Sequence, residues 1–509
     1  MQRFLLKLKK KGFFTNENYE KVYPRGSQPA RMYGLPKLHK KFVVEEKMPH
    51  FRPINSSIGS YNYALAKILS KMLDPYVSKK HSAKDTFSFL KNLSEQDKKG
   101  VFMVSYDVTS LYTNIPLNET ISIAVDKIFE AQHSNIKISK DELRRLFQFA
   151  TSGTHFQFNG KIYDQVDGVS MGNPLAPTLA NLFMGYHEEN WLRSNEAKNI
   201  FFYNRYVDDI FCLVKSEKEA EDFLAFLNTR HDNIKFTMEK EDNGKLPFLD
   251  ISIEKLNEMF VTSVYKKPSD TGLLTNFSSF VSSTYKKCLI KTLVERIFCI
   301  NNTWAGFSID ITKMETILQK NGYPAKYIER EINQTITKKL KNEVKNNKDE
   351  NCQYFKLPYI GNISDNAKNK LNDITKKFCK TGTLIKIAFT SHKISSYFSL
   401  KDKKLKELQS LVVYQFTCSG CNATYIGCTR RHLETRAHEH LNTDKESHIY
   451  KHVHSKNCKN KTHSRESFKI IDRANTFYTL KIKEAMHIQW QQPAINEQKI
   501  TSVRLTLIV

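Results

Sequence analysis

The 509-residue sequence lacks the features that mark secreted and membrane proteins. No apolar run approaches the length of a membrane-spanning helix, which needs about 20 residues. The N-terminal stretch MQRFLLKLKKKGFF has no apolar core of the kind that signal peptides carry. Cysteines number nine, an odd count that does not suit a disulfide framework. The sequence therefore predicts an intracellular protein of a reducing compartment, with no membrane partner.

Acidic residues are scarce relative to basic ones, since 53 Asp and Glu face 79 Lys and Arg for a formal net charge of +26. Such a surplus indicates a polyanionic partner, and nucleic acid is the commonest. The alternative is a basic tail or a contribution to solubility, but the lysines are spread along the whole chain. Hydrophobic residues at 40% argue against wholesale disorder. The length predicts three or four structural units.

The hydrophobic pattern predicts both strands and helices, without an internal repeat. The last hundred residues are rich in His and hold four of the nine Cys, which predicts a domain boundary near residue 400. The predicted elements are a strand over 101–110, helices over 178–190 and around 283–300, a hairpin over 201–214, and an exposed helix running into a linker over 337–352.

Three aspartates lie where predicted strands end. Asp107 ends one strand, and Asp208 with Asp209 occupies the hairpin tip, so the three carboxylates converge if the strands are neighbours. Close carboxylates repel one another unless cations lie between them. Two Mg²⁺ ions held there would activate a primer 3′-hydroxyl and neutralise the leaving pyrophosphate. The alternative is that an Asp-Asp pair at a turn serves only the turn, which is its commoner role.

Other residues near these aspartates suit a nucleotide site. Tyr112 lies five residues beyond Asp107, where a ring would exclude a ribose 2′-hydroxyl, although a core tyrosine is the commoner case. GVSMGNPLAP (168–177), which contains Met171 and Gly172, is a Gly/Pro-rich turn suited to close approach of the backbone to a nucleotide or template base. Cations for a triphosphate are offered by Lys37, Lys40 and Arg52.

In this order the motifs resemble the fingers and palm of reverse transcriptases. The matching segments span about residues 25–270 and are PKLHK, FRPI, SYDVTSLY, GVSMGNPLAPTLANLFM, YVDD and LPFLDISI. The resemblance implies a right-hand polymerase in which the three aspartates hold the metals, Tyr112 is the steric gate and Arg52 contacts the triphosphate. It departs at Met171, where many relatives have Gln, and this affects nucleotide or template contacts rather than the chemistry.

A second set of polar residues lies in the last hundred positions. Arg436 and His440 are four apart and so share a helical face. A Glu can hold one divalent ion, a Tyr or His can handle a proton, and an Arg can stabilise a phosphorane. The alternative is a small α/β domain with ordinary surface Tyr and Arg. The full set is Tyr414, Tyr425, Arg436, His440, Glu484 and Asn496.

This second set resembles the GIY-YIG nuclease domain. The YIG half is intact as Tyr425-Ile426-Gly427, whereas the GIY half is Val412-Val413-Tyr414 and keeps only its Tyr. Arg436, Glu484 and Asn496 match the later motifs of the family. A reverse transcriptase followed by such a domain is the arrangement of Penelope-like retroelements. The resemblance implies that the nuclease nicks target DNA and that the polymerase extends the new 3′-hydroxyl on the element's RNA.

A Cys-x-x-Cys pair, Cys418 and Cys421, lies between the two Tyr motifs, as in Penelope-like nucleases. It predicts a structural zinc site, which needs two further ligands. His452 and Cys458 are the predicted pair. His448 and His454 compete with them, and two thiols without metal are the alternative.

The sequence thus predicts a multidomain chain of α+β and α/β units that acts in the nucleus after cytoplasmic synthesis. Its partners are template RNA, primer and target DNA, and dNTPs, with two Mg²⁺ in the polymerase site and one in the nuclease site. Two alternatives remain. One is a telomerase-like or intron-encoded relative, and the other is a truncated or domesticated copy that only binds nucleic acid.

Because the fingers motifs begin almost at once, we expect an upstream extension to be missing. The predicted domains are 1–270 (fingers and palm), 271–345 (thumb-like helices), 346–405 (basic connector) and 406–500 (nuclease).

Overall fold

The computed structural model describes residues 1–24, 27–37, 48–96, 100–131, 136–152, 155–256, 259–341, 352–378, 384–391, 393, 397–398, 402–406, 408–455 and 462–496. Within these ranges no helix is both long and apolar enough to cross a bilayer. The helices there are α1 (Gln2–Lys10), α2 (Asn16–Val22), α3 (Tyr63–Leu73), α4 (Thr86–Ser94), α5 (Leu111–Asn114), α6 (Leu117–Ala131), α7 (Lys140–Thr151), α8 (Ala176–Trp191), α9 (Glu217–Thr229), α10 (Ser283–Ile300), α11 (Trp304–Lys320), α12 (Ala325–Leu340), α13 (Asn362–Phe378), α14 (Leu433–His438), α15 (His448–Val453) and α16 (Phe477–Gln491). The strands are β1 (Ala30–Pro36), β2 (Phe51–Ser56), β3 (Phe102–Val108), β4 (His155–Phe158), β5 (Lys161–Asp164), β6 (Ile200–Tyr206), β7 (Asp209–Val214), β8 (Phe236–Lys240), β9 (Lys245–Phe248), β10 (Ile251–Leu256), β11 (Met259–Val264), β12 (Cys352–Pro358), β13 (Leu384–Thr390), β14 (Val412–Thr417), β15 (Thr424–Thr429) and β16 (Phe468–Arg473).

The central sheet is antiparallel and has the strand order β6-β7-β3-β8. The alternation predicted for residues 101–110 is confirmed, because Val104 and Tyr106 face the larger core and Met103 faces a second core. Helices α6, α8 and α9 contribute to the larger core. Because both faces are covered, the sheet is a rigid base for whatever lies at its strand ends.

Helix α8 confirms the helix predicted over 178–190. Pro177 stands in its first turn, where the missing backbone N–H costs nothing. Leu179, Leu182 and Phe183 are buried at the predicted helical spacing, while Tyr186 stays 38% exposed. The helix therefore belongs to the larger core.

A second sheet, ordered β2-β1-β4-β5 and here called the fingers sheet, carries FRPI and the first residue of PKLHK, Pro36; residues 38–40 of that motif lie outside the described residues. FRPI forms β2, which pairs antiparallel with β1 so that Arg52 lies opposite Leu35. The LPFLDISI segment supplies β9 and β10, which form a separate three-stranded sheet with β11. Beyond it, α10, α11 and α12 pack around a core that includes Ile290, Leu318 and Ile328, in the region predicted as thumb-like.

The region predicted as a basic connector contains a folded β-α-β unit. Strands β12 and β13 pair in parallel, with α13 between them in sequence. This unit contacts the start of α10, where the Tyr285 hydroxyl donates to the Phe389 carbonyl at 2.7 Å and Ser282 Oγ donates to Asp365 at 2.9 Å. The connector thus has its own structure and packs on the three-helix region.

The C-terminal unit is built on a three-stranded antiparallel sheet ordered β15-β14-β16. Tyr414, Phe416 and Phe468 form its core with residues of α14 and α15. This unit touches the segment before β1, since His432 Nε2 donates to the Ser27 carbonyl at 2.5 Å. The segment that leads into this unit, residues 402–410 without 407, is here named the strap. The strap also contacts the fingers sheet.

Candidate active site

The three predicted aspartates meet at one end of the central sheet. Asp107 on β3 lies opposite Asp209 on β7, so the prediction that the two strands are neighbours is confirmed. Between β6 and β7 the chain reverses through Val207, whose φ is +58°, and Asp208. The Asp208 carbonyl accepts a 3.0 Å hydrogen bond from the Val108 N–H, which ties the hairpin tip to β3.

Electrostatics at this tip match a cation site. Burial first, and then the charges of Asp208 and Asp107, raise the pKa of Asp209 to about 6, while Lys267 opposes them. Each carboxylate therefore makes ionisation of the next less favourable. Carboxylate oxygens in such a cluster are the donors that Mg²⁺ prefers, so this residue set fits the predicted metals.

Tyr112 belongs to the same site. It lies on α5, immediately after β3, and is partly buried. Burial raises the pKa of its hydroxyl, Asp208 and Tyr206 raise it further, and Arg52 lowers it. The ring is therefore within electrostatic range of both the aspartate cluster and the predicted triphosphate cation.

Of the predicted cations, Arg52 lies within electrostatic range of Tyr112 at this end of the central sheet. Arg52 is exposed on β2. Lys37 follows β1, and its N–H donates to the His50 carbonyl at 2.7 Å. Lys40 lies outside the described residues.

The loop 168–172 is held by close backbone packing. A Cβ on Gly168 would lie 2.5 Å from the Thr113 carbonyl oxygen, and one on Gly172 would lie 2.3 Å from the Asn55 carbonyl oxygen. Asn55 N–H also donates to the Met171 carbonyl at 2.8 Å. Only glycine fits at both positions, so the loop joins α5 to the fingers strand β2 and places Met171 beside them.

In the C-terminal unit, Tyr414 is the centre of the predicted second site. Its hydroxyl is hydrogen-bonded to His440 Nε2 at 2.6 Å. Burial raises its pKa strongly, and Arg436, which hydrogen-bonds to it, opposes that shift. Burial and Arg436 lower the pKa of His440 to about 3, so His440 is neutral near pH 7. The predicted shared face of Arg436 and His440 is confirmed, because both reach Tyr414.

Tyr425, Glu484 and Asn496 complete this second site. Burial and then the Glu484 charge raise the pKa of Tyr425, while Arg436 lowers it. Asn496 bonds both ways to the Ile426 backbone, accepting from its N–H and donating to its carbonyl at 2.8 Å each. The structure thus brings all six predicted residues of this unit together, with Asn496 fixing the strand that carries Tyr425.

Sequence reasoning missed Lys481, whose Nζ donates to Glu484 Oε2 at 2.7 Å. Its spacing of three residues from Glu484 on one helix was the available signal. Cys428 was missed as well; burial and Glu484 raise its pKa to about 12. The predicted metal carboxylate of this unit is therefore already paired with an ammonium group.

Three of the four predicted zinc ligands lie in the described residues and cluster. Cys421 Sγ is 3.3 Å from His452 Nε2, and Cys418 joins them with its ligand atom within 4.8 Å of both. Burial opposes ionisation of Cys418, but hydrogen bonds from Cys421 and Gly420 N–H lower its pKa to about 6. Cys458 lies outside the described residues.

The competing histidines point elsewhere. His454 stacks on Tyr450 with ring centroids 3.9 Å apart. The His448 ring lies beside Tyr425, with centroids 6.3 Å apart. The described cluster therefore favours His452 as the third ligand.

A comparison with known protein families bears on the region of the first site. Residues 39–242 match the family described as reverse transcriptase (RNA-dependent DNA polymerase). These residues are therefore similar to reverse transcriptase domains. The matched region includes the aspartate cluster, Tyr112 and the 168–172 loop, and the match supports RNA-directed DNA polymerase activity.

The helices beyond the reverse transcriptase domain match a second family. Residues 273–333 match the animal helix-turn-helix domain, which covers α10, α11 and the first part of α12. Sequence reasoning predicted helices there but not this family. No curated protein matches the chain.

Among solved structures, the apo telomerase of Candida tropicalis truncated from its C-terminal domain is 14% identical, with a TM-score of 0.32 over 46% of this chain and 54% of that one. The Candida albicans telomerase with a fragment of telomeric RNA is 10% identical, with a TM-score of 0.39 over 67% and 68%. The BmCPV RNA-dependent RNA polymerase is 12% identical, with a TM-score of 0.35 over 58% and 27%. This chain thus spans about half to two thirds of the telomerase chains.

Proposed function

We propose that this chain is the RNA-directed DNA polymerase of a Penelope-like retroelement, and that its C-terminal unit is a GIY-YIG endonuclease. The observation that carries the polymerase is the convergence of Asp107, Asp208 and Asp209 at one sheet end within the reverse transcriptase domain. The net charge of +26 supports template RNA, primer DNA and target DNA as partners. The nucleus, where target DNA lies, is the proposed site of action.

In the polymerase site each element has one role. Two Mg²⁺ ions held by the aspartates would activate the primer 3′-hydroxyl and neutralise the pyrophosphate. Arg52 and Lys37 bind the triphosphate from the fingers side. Tyr112 blocks the space of a 2′-hydroxyl, and the backbone around Met171 and Gly172 carries the template-side contacts.

In the C-terminal site the Tyr414–His440 hydrogen bond supports a nuclease. Neutral His440 can accept a hydrogen bond from the Tyr414 hydroxyl and so orient its oxygen to accept a hydrogen bond from an attacking water. Arg436 stabilises the charge that develops on the phosphorane. Glu484 would hold one Mg²⁺ after releasing Lys481, and Tyr425 and Asn496 shape the strand beside it.

A structural zinc ion in the C-terminal unit is part of the same proposal. Cys418, Cys421 and His452 already lie close enough to share one tetrahedral ion. They join the β14–β15 turn to α15, and Cys458 is the proposed fourth ligand. Their donor set of two thiols and an imidazole is the kind that Zn²⁺ prefers.

A second candidate function for the C-terminal unit is DNA binding without cleavage. The ion pair between Lys481 and Glu484 favours it, because an ammonium group already neutralises the carboxylate that the nuclease needs for its metal. A domesticated copy would retain binding in this way. Nicking of supercoiled plasmid separates the two candidates.

Primer extension on poly(rA)/oligo(dT) with Mg²⁺ tests the polymerase. We expect the full chain to extend the primer and Asp208→Ala to abolish extension. Nucleic-acid binding should persist in Asp208→Ala, because binding depends on the basic surface rather than on the aspartates. Near-normal extension by Asp208→Ala would overturn the assignment of this site.

A further inference from the structure

Directly behind the catalytic hairpin lies a fully buried charge. The Arg205 side chain is 0% exposed, and its partner, the Glu188 carboxylate on α8, is 2% exposed. Arg205 Nε donates to Glu188 Oε1 at 2.6 Å, and the Tyr203 hydroxyl donates to the same oxygen at 2.6 Å. Arg205 is the third residue before Asp208, so this pair lies at the base of the hairpin tip.

The second arm of the guanidinium reaches the turn itself. Arg205 Nη1 donates to the Val207 carbonyl at 2.9 Å and to Asn181 Oδ1 at 2.8 Å. Val207 has a φ of +58°, a left-handed conformation that is costly for a β-branched residue. The peptide group before Asp208 is therefore held from the core side, while the Asp208 carbonyl is held from β3 by Val108.

Stability alone does not explain this arrangement. A buried ion pair is often no more stabilising than apolar residues of the same volume, because both charges lose their hydration. Among the described residues, Arg205 Nη2 is buried without a hydrogen-bond partner, which adds a further cost. The forked guanidinium of Arg205 holds the Val207 carbonyl in a fixed position, which an apolar pair of residues would not do.

We propose that Arg205, fixed by Glu188, Tyr203 and Asn181, is a positioning residue that sets the hairpin tip so that Asp208 and Asp209 face Asp107. The inference rests on the proposed polymerase function of that site. Arg205 acts through the Val207 carbonyl and does not touch substrate. Displacement of the tip would change how well the aspartates share metals, and a shift of about 1 Å at a reacting centre costs on the order of 100-fold in rate.

Arg205→Lys is the decisive variant. Lysine keeps the positive charge opposite Glu188, but a single ammonium group cannot reproduce the fork to Asn181 and the Val207 carbonyl. We expect kcat for primer extension to fall about tenfold or more and the Mg²⁺ concentration for half-maximal rate to rise severalfold, with dNTP KM within about twofold of the wild type. An unchanged kcat and Mg²⁺ dependence would overturn the proposal.

A matched control is Glu241→Gln. Glu241 is also a nearly buried carboxylate paired with a cation, Lys255, but it bonds the Met103 N–H at the other end of the central sheet. The Glu241→Gln variant should have a lower melting temperature but an unchanged Mg²⁺ concentration for half-maximal rate. An equal rise in the Mg²⁺ requirement for both variants would mean that destabilisation alone is the cause and would overturn the proposal.

The double variant Glu188→Met/Arg205→Met covers the case in which Arg205→Lys does not fold. It removes both charges together, so it avoids an unpaired buried charge and should stay folded. Its kcat should nevertheless fall as in Arg205→Lys.

Mn²⁺ binding followed by electron paramagnetic resonance gives a readout that needs no polymerisation. If the wild type binds Mn²⁺ but never extends a primer, the proposed function fails, and weaker Mn²⁺ binding by the variants still supports positioning. A double variant whose Mn²⁺ affinity and kcat equal those of the wild type would contradict the positioning role of Arg205.

Discussion

The side chain of Tyr112 determines sugar selection if the polymerase site works as proposed. Its ring is partly buried beside Asp208 and within range of Arg52, where the ribose of an incoming nucleotide would lie. Tyr112→Val should therefore raise ribonucleotide incorporation relative to deoxyribonucleotide incorporation. Tyr112→Phe keeps the ring and should keep the wild-type ratio. Single-nucleotide extension measures both, and an equal ratio in Tyr112→Val and wild type would make Tyr112 a core residue only.

Elements whose signal is local could be predicted from the sequence. The strand around Asp107, the hairpin over 201–214 and helix α8 followed from periodicity, because one covered face imposes a period of two or 3.6. The β-α-β unit over 352–390 was not predicted, since a parallel pair has no turn signal and its two strands are separated by a Lys- and Asn-rich helix. The burial of Arg205 was equally hidden, because its partners Glu188 and Asn181 lie on a different element.

The β14–β15 turn gives a prediction about zinc. The full chain should carry about one zinc ion, as structural sites do. Cys418→Ser/Cys421→Ser should lose that zinc and destabilise the C-terminal unit, because metal binding by thiolates is coupled to folding. Cys428→Ser is the control, since Cys428 lies on β15 with its pKa raised to about 12 and is outside the cluster. Metal analysis that finds no zinc in the wild-type chain would exclude the site.

At the scale of the whole molecule, the units that carry the two proposed sites are in direct contact as well as being joined by the chain. The strap lies on the fingers sheet, where Arg31 Nη1 donates to the Asp402 carbonyl at 3.1 Å and Gln157 Nε2 donates to the Lys403 carbonyl at 2.8 Å. His432, at the start of α14, adds a bond to Ser27. The C-terminal unit and the strap are thus docked at the end of β1 opposite to Arg52 and Lys37.

Although the two units touch, each proposed site should work independently. We therefore predict that nicking and primer extension can each be lost without the other. Glu484→Ala should abolish nicking of supercoiled plasmid, and Arg436→Ala should reduce it by about 10²- to 10³-fold, because one removes the metal carboxylate and the other the phosphorane stabiliser. Both variants should still extend a supplied primer on RNA, and Asp208→Ala should show the reverse pattern. Glu446→Ala is the matched control, since Glu446 is an exposed carboxylate of the same unit paired only with Lys451 among described contacts. Nicking that survives Glu484→Ala but disappears with Asp208→Ala would assign cleavage to the polymerase site and leave the C-terminal unit as a DNA-binding module.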